Sequence, residues 1–316
     1  MNYLRARPYR DSMDLNLMRE LLIAGRQSGM ADCYLHPGYL DWAMYYLPDE
    51  AANPLNVRLW ERADGGQPAL AAWAMLLRHQ DTFDLFVHPA LVGGPEHERI
   101  VDEYIAWAEA RAGEAGINQL RPFWLVEHDQ VLIGLMRARG FEVLAADPAP
   151  PLFERRLTAL PDVQLPDGYR VQGVSGLEDA RLRAEVTYAA FHPHTSWDDY
   201  SSGYVGFFRS SIYKGAHDLF VRAPDGRGAA ACTIWLDPHS AVGLFEPVGT
   251  HPDFQRRGLG KAVMAEGLRR MQAAGMQSAI VGFHPNNTGA RALYSSLGFR
   301  ASLYFVEAQK LDFVHS

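Results

Sequence analysis

The segment Gln255–Gly260, with the sequence Gln-Arg-Arg-Gly-Leu-Gly, has the composition and setting of an anion-binding turn. It follows an apolar run, Ala241–Val248, that predicts a strand, and it precedes Lys261–Ala274, which predicts a helix. The first N–H groups of a helix lack intrahelical partners, and the helix dipole adds partial positive charge there. Gly258 and Gly260 allow a sharp turn and a close approach of a ligand to the backbone. Three side chains add full positive charges nearby: Arg256, Arg257 and Lys261.

Two common phosphate loops do not match this segment. The Walker loop needs a glycine five residues before its Gly-Lys pair and a Ser or Thr after it, but those places hold Gln255 and Ala262. The dinucleotide fingerprint needs a third glycine, whose place is taken by Val263, and an acidic residue beyond the helix, which does not follow at the right distance. The segment therefore predicts another kind of anion site.

A second pattern lies downstream and runs Asn287-x-x-Ala290-x-x-Leu293-Tyr294-x-x-x-Gly298-Phe299. Ala290 and Tyr294 are four residues apart, so they share a face if this run is helical. The two patterns resemble the Q/R-x-x-G-x-G/A loop and the closing motif of the GNAT superfamily of acyl-CoA N-acyltransferases. The resemblance is strong for about Ala241–Arg300, and elsewhere it rests on the order of elements and on a few landmarks.

This resemblance implies a coenzyme A site in the C-terminal half. In the family the glycine-rich loop holds the pyrophosphate, the preceding strand end pairs with the pantetheine arm, and an Asn of the closing motif contacts the coenzyme. The residues that it assigns to coenzyme binding are Val248, Gly249, Thr250, Gln255, Arg256, Arg257, Gly258, Leu259, Gly260, Lys261, Asn287 and Ala290. It also places Tyr294 near the sulfur, where a phenol can protonate the departing thiolate. Tyr294 is thus the expected general acid, and a core aromatic is the alternative interpretation.

Glu246 is the carboxylate nearest to these motifs, and an amine nucleophile must lose a proton. By the period of two of a strand, Glu246 shares a face with Leu244 and Val248. Its apolar neighbours are expected to raise its pKa, which suits a general base or a water relay. Binding of a cationic amine and simple exposure to solvent are the alternatives.

The acceptor site in this family is usually lined by the first two helices and the loop between them, here Phe191–Tyr200. Its aromatics and acids suit an organic cation, and Trp197 and Asp198 are the expected acceptor-binding residues. A helix cap formed by Ser196 and Asp198 is the structural alternative. His192-x-His194 in this loop lacks a third ligand, so no metal site is expected.

Landmarks recur in the two halves of the chain. His88-Pro89 corresponds to His251-Pro252, and Arg139-Gly140-Phe141 corresponds to Leu297-Gly298-Phe299. Each half is predicted as strand, two helices, three strands, helix, strand, helix and strands, a mixed α/β (α+β) order around a mostly antiparallel sheet. This order resembles two tandem GNAT domains, each a twisted sheet flanked by helices, with 1–157 as a degenerate domain and 158–316 as the acetyltransferase domain.

The first half lacks the anion-binding turn. Aligning the two His-Pro pairs puts Val92 at the place of Gln255 and Pro95 and His97 at the places of Gly258 and Gly260. Proline removes an N–H group, and histidine adds bulk where a ligand would lie. We therefore expect no productive coenzyme binding in this half, which is left to support the fold, form part of the acceptor cleft or pack against the other half.

Composition limits the function classes further. The 316 residues suffice for about two domains, and a net charge of −7 argues against non-specific nucleic-acid binding. Two distant cysteines fit a reducing compartment. The N-terminal residues do not resemble a signal peptide, and no apolar run approaches a membrane span, so a cytoplasmic protein is expected. A tandem chain supplies its own pairing, which favours a monomer or a weak homodimer.

The expected function is transfer of an acetyl group from acetyl-CoA to a primary amine of a small molecule or peptide, by direct attack and without a metal. A non-catalytic acyl-CoA-binding sensor or scaffold is the first alternative. Transfer to another nucleophile, or of a longer acyl chain, is the second. Mycothiol synthase is another tandem enzyme of this superfamily, and a thiol-cofactor precursor is thus a remote option, because the strand and loop residues here do not clearly match that enzyme.

Overall fold

The computed structural model describes residues 3–45, 54–63, 69–77, 81–145, 149–191, 196–311 and 313. The loop residues His192 and His194 lie outside these ranges. The chain forms two compact units. The first comprises Met1–Pro37, Leu47–Pro150 and Leu303–Ser316, and the second comprises Gly38–Tyr46 and Pro151–Ser302.

The first unit is built on a seven-stranded sheet with the order β1-β2-β3-β4-β5-β14-β6. Neighbouring strands run antiparallel except β4 and β5, which are parallel. Its strands are β1 (Tyr3–Pro8), β2 (Val57–Ala63), β3 (Ala69–Leu77), β4 (Thr82–Val87), β5 (Gln119–Pro122), β6 (Glu142–Val143) and β14 (Ala308–Leu311). Its helices are α1 (Ser12–Arg26), α3 (Pro95–Glu114) and α4 (Gln130–Ala138).

The second unit has a seven-stranded sheet with the order β13-β7-β12-β11-β10-β9-β8, in which β11 and β12 are the parallel pair. Its strands are β7 (Pro151–Arg156), β8 (Arg170–Gly173), β9 (Asp218–Arg222), β10 (Gly228–Asp237), β11 (Val242–Thr250), β12 (Ser278–Gly282) and β13 (Arg300–Tyr304). Its helices are α2 (Pro37–Tyr45), α5 (Leu177–Phe191), α6 (Trp197–Val205), α7 (Leu259–Ala273) and α8 (Thr288–Ser296). The mixed α/β fold with two mostly antiparallel sheets confirms the predicted architecture.

The two units do not divide at 157/158 as expected. Strand β7, placed with the first half by the sequence, pairs antiparallel with β12 from Leu152↔Gly282 to Arg156↔Ser278. Strand β14, from the other end of the chain, pairs with both β5 and β6. A strand can add to any sheet that offers a free row of N–H and C=O groups, and sequence position does not decide which sheet offers it.

The core of the second unit explains why helix α7 lies against the sheet. Leu259, Val263 and Leu268 of α7 are buried in one cluster with Phe245 of β11. A Cβ at Gly267 would lie 2.6 Å from the Phe245 ring, so this glycine permits the close approach of helix and strand. The packing fixes the start of α7, where the glycine-rich turn lies, relative to the end of β11.

A buried ion pair in the first unit gives a test of its stability. Arg7 donates from Nη1 to Asp14 Oδ2 and from Nη2 to Asp14 Oδ1, both at 2.6 Å, and from Nη2 to Glu61 at 2.5 Å. We expect Arg7→Met to lower the free energy of unfolding by about 3–5 kcal/mol in urea titrations, because two carboxylates lose their buried partner. Arg5→Met removes an exposed arginine from the same strand and should change it by less than about 0.5 kcal/mol; equal losses in the two variants would contradict this role.

The same pair predicts a loss of stability in acid. Burial alone would raise the pKa of Asp14, but hydrogen bonds from Arg7 and from the Arg10 N–H outweigh it and hold the pKa below its usual value. A carboxyl group whose pKa is lower in the folded chain stabilises the fold at pH values above its pKa in the unfolded chain. This contribution is lost as the pH falls through its pKa in the folded chain. The difference in unfolding free energy between the native chain and Arg7→Met should therefore shrink below about pH 4.

Candidate active site

The glycine-rich turn has the backbone geometry of an anion site. Arg256 and Gly258 both adopt left-handed conformations, with φ of 63° and 77°, and alternation of this kind turns successive N–H groups toward one side. Helix α7 begins at Leu259, two residues before the predicted start, and its first i→i−4 bond runs from Ala262 N to Gly258 O. The N–H groups of Leu259, Gly260 and Lys261 precede that bond and so have no helical partner.

Glycine at position 260 is required by the contact between the turn and the strand end. A Cβ there would lie 2.9 Å from Thr250 Oγ1, whereas a Cβ at Gly258 would meet nothing within 4 Å. Gly258 is thus constrained by its φ and Gly260 by space. Gln255, Arg256 and Gly258 are exposed, and Arg257 is held by hydrogen bonds to Tyr169 Oη (3.1 Å) and Asp253 O (3.0 Å).

Strands β11 and β12 separate beside this turn. Their parallel pairing covers only Val242↔Ser278, Gly243↔Ala279 and Leu244↔Ile280, although β11 continues to Thr250 and β12 to Gly282. On its other side β11 stays paired with β10 as far as Ala230↔Thr250. Among the described residues, the edge of β11 that faces β12 therefore has no strand partner after Leu244. The sequence placed Val248, Gly249 and Thr250 against a pantetheine arm at this edge.

Glycine at position 249 is also required by the packing of α5 on β11. A Cβ at this position would lie 2.9 Å from the Phe191 ring and 3.2 Å from Ala190 Cβ, both on the last turn of α5. Glycine is therefore needed for the approach of α5 to the strand, whatever else binds there. Val248 is half-buried and packs on the opposite side, against the core that α7 covers.

Glu246 lies where the two strands have separated. Its side chain is half-buried, and within the described ranges its carboxylate has no hydrogen-bond or ion-pair partner. Burial raises the pKa of Glu246 to about 7, against a smaller lowering by the charge of Arg183. Its backbone carbonyl accepts a hydrogen bond from Trp235 Nε1 at 2.7 Å, which fixes the main chain at this point. The group thus has the proton affinity of a base that works near neutral pH.

The expected alternation of β11 is wrong at this point. Cys232 pairs with Val248 while Ile234 pairs with Phe245, so two residues of β11, Glu246 and Pro247, oppose the single Thr233. This bulge shifts the alternation by one residue, and Phe245 and Val248 consequently both enter the core under α7. Glu246 and Val248 therefore do not share a face, contrary to the prediction.

Tyr294 lies on α8 with its ring buried between aromatic neighbours. Its ring centroid is 5.4 Å from that of Phe283 and 6.2 Å from that of Phe299. Its hydroxyl has no hydrogen-bond partner in the described part of the chain. Burial, and then the nearby charge of Glu246, raise the pKa of Tyr294 well above its usual value, so the phenol keeps its proton. The structure thus brings the two expected catalytic residues close enough to influence each other.

Asn287 and Ala290 form the start of α8. Asn287 is the N-cap, and its Oδ1 accepts from Ala290 N at 2.9 Å. This capping bond uses the carbonyl oxygen of the side chain and leaves the amide NH₂ as the group that can contact a ligand.

The acceptor residues expected in the loop lie at the first turn of α6. Trp197 is half-buried and packs edge-on against Tyr188 of α5, with ring centroids 5.4 Å apart. Asp198 is exposed, and its carbonyl oxygen accepts from Ser201 Oγ at 3.2 Å. The aromatic surface expected between the first two helices is therefore present.

Sequence analysis missed a buried network on α5. Arg183 is fully buried and contacts Asp218, Thr187 and Thr233. The available signal was the position of Arg183 between Ala180, Ala184 and Thr187, a helical spacing that puts a charge on the face directed at the sheet.

Comparison with known proteins places this geometry in a family. Residues 182–299, from α5 to the start of β13, match the model of the acetyltransferase (GNAT) family. The chain contains a GNAT acetyltransferase domain. It is accordingly an acyltransferase, as the resemblance implied.

Relatives and solved structures extend the match beyond this GNAT domain. A mycothiol acetyltransferase of an Arthrobacter species is 25% identical over 266 residues, which cover 80% of this chain and 75% of the relative. One of Saccharomonospora viridis is 27% identical over 271 residues, which cover 80% and 83%.

Solved structures match the fold of nearly the whole chain. A tandem GNAT protein from the clavulanic acid biosynthesis pathway has a TM-score of 0.67 at 15% identity, covering 99% of this chain and all (100%) of that one. A GCN5-related N-acetyltransferase of Sphaerobacter thermophilus has a TM-score of 0.62 at 18% identity, covering 98% and 95%. These likenesses confirm the tandem GNAT fold.

The first GNAT-like unit has a shorter turn at the corresponding place. Gly93, with φ of 78°, stands five residues after His88, as Arg256 stands five after His251. However, α3 begins seven residues after His88, whereas α7 begins eight after its histidine. One residue, the counterpart of Gly258, is thus absent. Pro95 is level with Leu259 and His97 with Lys261, one place later than the sequence alignment gave.

In the first unit, side chains hydrogen-bond to backbone groups at the corresponding turn and strand ends. His97 Nδ1 accepts from Gly93 N at 3.1 Å, and burial lowers the pKa of His97, which keeps that nitrogen free to accept. Tyr34 donates to Val87 O at the end of β4 (2.7 Å), and Asp84 Oδ1 accepts from Trp124 N (3.0 Å) beyond the last β4–β5 pair.

The sequence also predicted that the chain has no metal site and no membrane span. The described ranges contain no group of three or more side chains arranged to hold a metal, but His192 and His194 lie outside them, so the absence of a metal stays a prediction. None of the helices in the described part of the chain is long and apolar enough to cross a membrane.

Proposed function

We propose that the second unit transfers an acetyl group from acetyl-CoA to a primary amine of a small molecule. The observation that carries this proposal is the place of Glu246 on β11 where β11 and β12 separate, with a carboxylate that has no partner among the described residues. Burial raises its pKa to about 7, and its charge helps to keep the proton on Tyr294. A base and an acid whose environments keep them in opposite protonation states suit a reaction that removes one proton and supplies another.

In the proposed reaction the acceptor reacts as its neutral amine. The nitrogen lone pair forms a bond to the acetyl carbonyl carbon, Glu246 takes one proton from that nitrogen, directly or through water, and the C–S bond of the thioester breaks. The electron pair leaves on sulfur, and Tyr294 supplies the proton that gives the free thiol. Proton balance is restored when Glu246 releases its proton and Tyr294 regains one from solvent.

Acetyl-CoA would be held by the residues that the resemblance assigned. The backbone N–H groups at the start of α7, with Arg256 and Lys261, suit a pyrophosphate. The open edge of β11 at Val248–Thr250 suits the amide groups of pantetheine, and the Asn287 amide would donate to the coenzyme. In the first unit His97, Tyr34 and Asp84 hydrogen-bond to backbone groups at the corresponding turn and strands, which supports a single site in the second.

The acceptor proposed here is a small-molecule amine. The relatives named mycothiol acetyltransferase make an amine precursor of mycothiol the first compound to test, which raises this option above its remote place in the sequence analysis. The aromatic faces of Tyr188 and Trp197 between α5 and α6 would line its site.

Calorimetric titration with acetyl-CoA tests the coenzyme site. We expect one site in the native chain, and at least a tenfold loss of affinity, about 1.4 kcal/mol, in the double variant Gly258→Ala/Gly260→Ala. The first change strains a positive φ, and the second places a Cβ 2.9 Å from Thr250 Oγ1. Gly275→Ala is the matched control, because Gly275 has a φ of 86° with open space around it at the far end of α7.

The possible outcomes separate the alternatives. Two sites in the native chain, or full affinity in the double variant, would contradict a single site at this turn. Binding of acetyl-CoA with no transfer to any amine in a screen would favour a sensor or scaffold. No binding at all would remove the proposal.

A further inference from the structure

A fully buried ion pair with no part in the chemistry above lies between helix α5 and the sheet of the second unit. Arg183 and Asp218 are both 0% exposed, and Arg183 Nε donates to Asp218 Oδ1 at 2.6 Å. The two terminal nitrogens of Arg183 donate to Thr187 Oγ1 at 2.9 Å and to Thr233 Oγ1 at 2.7 Å. Every nitrogen of the guanidinium is therefore engaged. A buried ion pair adds little net stability over an apolar replacement, so stability alone does not explain why this ion pair is present.

The network extends to the acceptor helix α6. Asp218 Oδ2 accepts from Tyr204 Oη at 2.7 Å and from Tyr213 Oη at 3.1 Å. Tyr200 Oη donates to Thr187 Oγ1 at 2.5 Å. The ion pair thus joins α5 and α6, the helices that line the proposed acceptor site, to strands β9 and β10.

Two chains of contact run from this network to Glu246. The first is Thr233, which bonds to Arg183 and is the single residue of β10 opposite the bulge at Glu246 and Pro247. The second passes through aromatic rings. Tyr213 stacks on Phe207 with centroids 6.0 Å apart, Phe207 packs edge-on against Trp235 at 5.6 Å, and Trp235 Nε1 donates to Glu246 O at 2.7 Å.

The charged and titratable groups that act on Glu246 or on its neighbours come from several elements. Arg183 on α5 is the cation whose field reaches Glu246 and favours its carboxylate form, against the effect of burial. On α8, the pKa of Tyr294 is raised by burial and then by the charges of Glu246 and of Cys232 on β10, and burial keeps both the phenol and the thiol neutral. Asp218 on β9 is the ion-pair partner of Arg183, and its opposite charge reduces the field of that cation.

We propose that Arg183 is a positioning residue for Glu246: through Thr233 and Trp235 its network fixes the bulge that carries the carboxylate. This inference rests on the proposed role of Glu246 as the base. The same network places α5 and α6 against the strands β9 and β10. The charge of Arg183 also favours the carboxylate form of Glu246, against the larger effect of burial, and Asp218 limits this effect of the cation. One ion pair thereby acts on the geometry of the acceptor site and on the proton affinity of the base.

The test is a titration of the Glu246 carboxyl carbon by NMR, with ¹³C-labelled glutamate and with Glu246→Gln for assignment, in four variants. Arg183→Met and the double variant Arg183→Met/Asp218→Leu remove the cation, and the second also replaces the buried pair by apolar side chains that fold without an orphaned charge. Asp218→Asn keeps the cation and removes its partner. Arg183→Lys keeps the positive charge but lacks the planar guanidinium whose three nitrogens donate to Asp218, Thr187 and Thr233.

Opposite shifts are the expected result. The midpoint for Glu246 should move to higher pH when the cation is removed and to lower pH in Asp218→Asn, while Arg183→Lys should stay near the native midpoint. The acid limb of kcat/KM should move with it. A role confined to packing would disturb all four variants without this change of sign, so equal or parallel shifts would overturn the proposal.

The readouts also separate this inference from the proposed function. If Glu246→Gln keeps full activity, Glu246 is not the base, yet the NMR titration still reports whether Arg183 sets its proton affinity. If the midpoints shift oppositely but kcat/KM does not follow, the electrostatic part holds and the positioning role in catalysis is lost.

Discussion

Glu246→Gln should lower kcat by a factor of about 10² to 10⁴ while leaving the affinity for acetyl-CoA unchanged. This is the usual contribution of a positioned general base, and Gln keeps the size and polarity of the side chain but cannot accept a proton. The coenzyme contacts proposed above come from the backbone of β11, the start of α7 and α8, and none uses the Glu246 carboxylate. Steady-state kinetics and calorimetry on the same preparation measure both quantities.

The pH profile gives the sign of the effect. A base acts in its deprotonated form, and the pKa of Glu246 is raised by burial to about 7. The kcat/KM of the native enzyme should therefore rise with pH through about 7, and this limb should disappear in Glu246→Gln. A limb that persists in the variant would assign it to another group, such as the acceptor amine.

The thermal stability of Glu246→Gln is the control for damage to the fold. Because the folded pKa of Glu246 lies above the 4.5 that is usual for a glutamate, the folded chain binds more protons than the unfolded chain between these pH values, and stability falls as pH rises through that window. Gln carries no charge to bury, so the variant should melt at the native temperature or above it at pH 8. A variant that loses activity together with stability would indicate damage to the fold rather than loss of a base.

The local motifs were readable because each depends on residue types within one turn. Gly258 and Gly260 permit a backbone that few other residues adopt or fit, and Asn287 caps the helix that presents Tyr294. The order of elements followed from hydrophobic periodicity and turn residues, and it gave the mixed α/β fold.

Features that depend on tertiary contacts were not readable. The bulge at Glu246 exists because β11 pairs with β10 on both sides of Thr233, and no residue type announces it. The exchange of β7 and β14 depends on which sheet edge is open. The shorter turn of the first unit was misaligned by one residue because a deletion after Gly93 leaves no mark in a single sequence.

Buried polar groups were the hardest to predict. Tyr34 reaches Val87 O across 53 positions of sequence, and Arg183 reaches Thr233 across 50. Such partners are chosen by the fold and not by spacing along the chain. The pKa of Glu246 is also decided by the fold, because it depends on burial that the sequence only suggests.

Tyr294→Phe should reduce kcat by about 10² or more and leave the affinity for acetyl-CoA within about threefold of native. The ring is buried against Phe283 and Phe299, and Phe fills the same space, so only the hydroxyl is lost. That hydroxyl has no partner in the described part of the chain, so its removal leaves no group unsatisfied and should not destabilise the fold. Kinetics, calorimetry and thermal melting measure the three effects separately.

The leaving group distinguishes acid catalysis from a general effect on the site. A selenoester analogue of acetyl-CoA expels a more acidic group, which needs less help from a proton donor. If Tyr294 protonates the leaving group, the ratio of native to variant kcat should be smaller for the selenoester than for the thioester. An unchanged ratio, or a loss of coenzyme affinity in place of kcat, would show that Tyr294 shapes the site without supplying the proton, and the acid would have to be sought in solvent.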